Sequence, residues 1–123
     1  MKSILFYLSA ALLIFWGIAH LFPTRSVVKG FGKITTDNER IIMMEWIVEG
    51  LSLIFLGILI AVVTFFDAVS WLSFTIYWLC VGMLVVLTIL SFFTGFKVSF
   101  LPYKLCPVIF LSSALLILLG IYW

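Results

Sequence analysis

Glu45 and Glu49 stand one helical turn apart inside a run of apolar residues, Ile41 to Ile60, long enough to cross a bilayer. A carboxylate within a membrane span costs about 2.5–3.5 kcal/mol on insertion scales, so its presence points to a function. Two such groups at i, i+4 repel one another. In hydrocarbon their charge must be met by a proton or a nearby cation. With Ser52 they follow i, i+4, i+7 and share one helix face, which should turn inward.

Depth can be counted from the 1.5 Å rise per residue. Glu45 lies about one turn into the lipid and Glu49 about two. His20, near the end of the first apolar run, matches the depth of Glu45. On the third run, Ser91 matches Glu45 and Thr88 matches Glu49. Ser112 and Ser113 on the fourth reach the level of Glu49. The expected site therefore takes Glu49 as buried anion, Glu45 as its partner and His20 as proton exchanger. Thr88 and Ser112 add hydroxyls, and Trp16 and Trp46 form walls. Arg25, Arg40 and Lys104 are the candidate charge partners at the rim. Each acid also has a plainer reading, an ion pair that locks helices together. The slab suggests a pocket for a small amphipathic or cationic ligand.

Four elements must carry these groups. The chain has 123 residues, 66% hydrophobic and only 10% charged, against about 25% charged in soluble domains. Spans are expected at 3–22, 41–66, 69–93 and 107–122, joined by a polar loop at 23–40. The fold class is all-α, a polytopic membrane protein with four transmembrane helices in an antiparallel bundle. The first run is read as a true span and not a secretory signal. It is long for a signal, and no small-x-small pattern precedes Pro23. Arg25, Lys29, Lys33, Arg40, Lys97 and Lys104 fall on one side and only Lys2 on the other. The positive-inside bias puts loops 23–40 and 94–106 in the cytoplasm and both termini outside, in a bacterial inner membrane.

Local signals refine the elements. Thr36-Asp-Asn-Glu39 has the form of a capping box, starting the second helix near Asp37. Asp67 suits a cap for the third helix, and Pro107 a first helical position for the fourth. Gly50 and Gly57 share one face and allow close helix approach. In the loop 23–40, basic residues alternate with Val27, Val28, Phe31 and Ile34. That mixture suits either a segment lying on an anionic lipid surface or a solvated loop.

Several chemistries lack their residues. There is one His, no His-Glu-x-x-His and no Glu-x-x-His, so no metal is assigned and bis-histidine haem is excluded within one protomer. No phosphate loop, dinucleotide fingerprint or nucleophile elbow occurs. Cys80 and Cys106 are separated in depth by about 20 Å, too far to bridge. A formal net charge of +2 is too slight to imply nucleic acid.

The ending of the first span, Gly17-Ile-Ala-His-Leu-Phe22, together with size and span count, resembles the DoxX-like group of small four-helix membrane proteins. That resemblance implies membrane redox or quinone-associated roles, as in some members, and carries over no functional residue. Small multidrug exporters share the size and span count. Their essential Glu stands in the first span, where this chain has no acid. Two alternatives to the ligand pocket follow. One is a membrane redox or lipid- or quinone-modifying enzyme subunit, using His20 and the glutamates for proton transfer. The other is a non-catalytic assembly subunit. The expected partners are membrane lipid, a small amphipath or quinone, and a second copy or a partner membrane protein. No cofactor is named.

Overall fold

A computed structural model describes residues 2–123. It is helical, with α1 at Lys2–Leu21, α2 at Thr24–Gly30, α3 at Thr36–Asp67, α4 at Trp71–Phe93 and α5 at Leu101–Tyr122, plus one 3-10 turn at Gly95–Lys97. Four of these, α1, α3, α4 (continued to Lys97) and α5, are long and apolar enough to cross a membrane.

The boundaries follow local chemistry and shift several expectations. Pro23 ends α1, since a proline lacks the amide that a helix interior needs. The Thr24 hydroxyl donates to the Leu21 carbonyl at 2.6 Å, satisfying a group at the helix end. The segment after it is no plain loop. It folds as α2, burying Thr24 and Val28 four residues apart and leaving Arg25 and Lys29 exposed. Gly32 at φ 74° closes it in the left-handed region that favours glycine.

The cap of α3 is Thr35, whose hydroxyl accepts from the Asn38 amide at 3.3 Å. The expected box at Thr36 is one residue late, because Thr36 is already helical. Asp67 does not cap the next helix, since it is the last residue of α3; its carboxylate accepts from the Val69 amide at 3.0 Å. Ser70 is the cap of α4, accepting from the Ser73 amide at 3.1 Å. The third long helix therefore starts at 71 and not at 69.

The fourth helix starts six residues before the expected position. Pro102 holds the first turn, where a missing amide is harmless, and Pro107 lies inside the helix.

Packing is uneven. The α1–α3 contact is the most extensive, and α1 also packs on α5, which packs on α4. Between α1 and α3, glycines bring backbone to backbone. A Cβ on Gly17 would stand 2.7 Å from the Gly50 carbonyl oxygen, and one on Gly57 2.7 Å from that of Ala10. Residue numbers rise on one helix as they fall on the other. The same reversal joins α1 to α5, where Phe6 lies on Gly120 and Ser9 Oγ donates to the Ser113 carbonyl at 3.0 Å. Phe6 also stacks on Tyr77 at a centroid distance of 4.0 Å. The core is Phe6, Leu13, Leu53, Ile60, Tyr77, Leu84, Phe110 and Ile117.

By contrast, α3 and α4 touch sparingly. Among the described residues, polar contacts tie them only beside their connecting turn. The Thr64 and Tyr77 hydroxyls bond at 2.9 Å, and Ser73 Oγ donates to the Val63 and Asp67 carbonyls at 3.3 and 2.6 Å.

Candidate functional site

Away from that turn, α3 and α4 part and leave a cleft of about 1000 Å³. This reaches the upper end of the range for small-molecule sites. One wall is α3, with Ile41, Glu45, Trp46, Glu49 and Ser52. The other is α4, with Met83, Leu87, Leu90 and Ser91. The far end is formed by Val27 and Phe31 of the α2 segment and by Phe100, Tyr103, Cys106 and Phe110 of the α5 region. Most of the lining is apolar, and its acids are Glu45 and Glu49. Among the described residues no Lys or Arg lines it.

The glutamates share the cleft wall because four residues in a helix return to one face. Glu45 is exposed there. The Glu49 side chain is 41% exposed and reaches back toward α1, where His20 Nε2 lies 3.4 Å from Glu49 Oε2. His20 itself is 4% exposed. It belongs to the packed interior, with Glu49 between it and the cleft. Depth counting levels His20 with Glu45, yet its partner is Glu49, a turn further in. The imidazole stacks on Trp46 at 3.9 Å, and the Trp46 indole donates to the His20 carbonyl at 2.7 Å. Trp46 also meets Tyr103 edge to face at 5.5 Å. His20 is thus fixed on its face and at its backbone. Its Nε2 makes no hydrogen bond, and the geometry toward Glu49 is that of an ion pair when the ring is protonated.

The other expected residues are spread wider. Trp16 is half-buried one turn before His20; its indole nitrogen is buried without a partner, and it does not line the cleft. The Thr88 hydroxyl donates to the Leu84 carbonyl at 2.7 Å and lies off the cleft wall, which takes Ser91 instead. Ser112 is half-buried off the wall. Its neighbour Ser113 is buried, with Oγ unpartnered. The rim cations do not pair with the glutamates. Arg40 meets Asp37 at 3.9 Å in an exposed pair, which contributes little. Arg25 and Lys104 are exposed, and no ion pair includes either.

Tyr103, Phe31 and Phe100 are cleft residues that sequence reasoning missed. The available signal was their position in or beside the two polar connections, which fold over one end of the long helices. No three His, Cys, Asp or Glu side chains converge as a metal site among the described residues. Cys80 and Cys106 are buried free thiols.

What the arrangement offers chemically is two carboxyl groups on an apolar wall, one of them backed by an imidazole. No protein-family model, curated protein or solved structure matches this chain.

Proposed function

We propose that the chain is an integral membrane protein, an antiparallel bundle of four spans. Its α3–α4 cleft binds a small amphipathic or cationic ligand near the cytoplasmic face. The observation that carries this reading is the placement of Glu45 and Glu49 on the wall of a large, otherwise apolar cleft. The reversed order of helix contacts supports the bundle. The hydropathy of the four long helices supports insertion. The basic connections 23–40 and 94–106 support a cytoplasmic position for the cleft, by the positive-inside bias.

In this reading the apolar walls hold the ligand's hydrocarbon part. Glu49 meets its polar end, with Glu45 one turn nearer the headgroups. His20 stands behind Glu49, its Nε2 3.4 Å from Glu49 Oε2, and holds that carboxyl group at the cleft wall. The test is Glu49→Gln in purified protein, titrated with cationic, zwitterionic and neutral dodecyl amphipaths. The tightest ligand should lose at least about tenfold in affinity, with the thermal transition kept. Unchanged affinity for every amphipath would refute the site.

A further inference from the structure

The hydrogen-bonding inventory of the cleft is lopsided. The Ser52, Ser91 and Thr94 hydroxyls each donate at 2.7 Å to the carbonyl four residues earlier in their own helix. The Trp46 indole proton goes to the His20 carbonyl. These protons are committed to the fold, while the hydroxyl oxygens keep lone pairs free. Glu45 and Glu49, when ionised, only accept. Among the described lining side chains, Tyr103, Ser26 and the weakly donating Cys106 thiol retain a proton to give. The cleft thus presents acceptors and negative charge, with few donors and no guanidinium or ammonium group.

Resting on the reading above, we infer that the ligand is a chain-bearing amine, a single-chain amphipath whose head is a primary or secondary ammonium. Such a head brings two or three N–H donors to a wall of acceptors, and hydrogen bonds to charged groups are the strong ones. A quaternary ammonium brings the charge without donors. A quinone brings only carbonyl acceptors and would leave both sides unpaired. A phosphate-bearing head would meet no cation on the wall and would face two carboxylates. Tyr103, Phe31 and Phe100 line the same cleft, and aromatic faces attract a cation. The sparse contact between α3 and α4 opens the cleft sideways, so the chain can lie between the helices while the head stays at the glutamates.

The experiment compares dodecylamine, dodecyltrimethylammonium, butylamine and decylubiquinone on purified protein in neutral detergent at pH 7. Dissociation constants are read by native mass spectrometry. Dodecylamine should bind at least about tenfold tighter than the quaternary analogue, butylamine should bind far more weakly, and decylubiquinone should not displace dodecylamine. Glu49→Gln and, separately, Glu45→Gln should each shrink the preference for the primary amine. Equal or tighter binding of the quaternary compound, tight binding of butylamine, or displacement by the quinone would overturn the inference. If those results come with Glu49-dependent affinity, the amphipath site stands and only the head-group assignment falls. If Glu49→Gln changes no affinity at all, both fall.

Discussion

Along α1 and α3 the backbones touch. Gly17, Gly50 and Gly57 leave no room for a Cβ, and the seam stays closed along its length. Along α3 and α4 the same helix presents Val48, Glu49, Ser52 and Leu53 to Met83, Leu87 and Ser91, and the seam parts into a cleft. In the membrane setting proposed above, lipid supplies no hydrophobic drive to pull helices together, so close packing of small residues decides which seams shut. One face of α3 has glycines at the contact. The other has carboxylates and branched side chains, and it closes only where Thr64 and Tyr77 can bond. A single helix thus separates scaffold from site.

The largest effect should come from forcing the closed seam. Gly57→Val would push atoms into the Ala10 carbonyl and Ile14, neither free to withdraw, and should cost about 3 kcal/mol, read as a lowered midpoint of denaturant unfolding. Filling the open seam should do the reverse. Ser91→Phe, on the cleft wall, should leave the midpoint within about 0.5 kcal/mol yet cut amphipath affinity at least about tenfold; if both seams respond alike, the contrast is wrong. Removing the clasp, Tyr77→Phe, deletes one buried bond and should cost about 1 kcal/mol. Proteolysis or thiol labelling should then reach the α3–α4 side sooner. The smallest effect belongs to Gly82→Ala. A Cβ there meets nothing within 4 Å, so better helix propensity should raise stability by at most about 1 kcal/mol.

Hydropathy made the four long helices readable, because a bilayer demands about 20 apolar residues whatever they pack against. Helix ends were harder. The Thr36-x-x-Glu39 pattern points to Thr36 as the cap, yet the fold uses its neighbour Thr35. Pro107 reads as a helix start until Pro102 is seen to hold that place. The seven residues of α2 are too short for a periodic signal to stand out, and only packing of Thr24 and Val28 makes them helical. Depth along a span was countable, so His20, Glu45 and Glu49 could be assigned to one layer. Direction around a span was not, because helices that are apolar on every side show no preferred face. For that reason the sequence could not separate Ser91, on the wall, from Thr88, off it. Nor could it reveal that Trp46 holds His20 and lines the cleft while Trp16 does not line it.

Pro107 has a mechanical consequence. It carries no amide proton, so the Tyr103 carbonyl misses the rung that a continuous ladder would supply. That missing rung falls between the cleft-lining residues Tyr103 and Cys106 and the rest of the helix. The terminal turns bearing Phe100 and Tyr103 are therefore less stiffly joined to the helix body than any other stretch of α5. A visitor too broad for the gap would be met first by a compliant edge, with the glycine-locked side of the molecule left undisturbed.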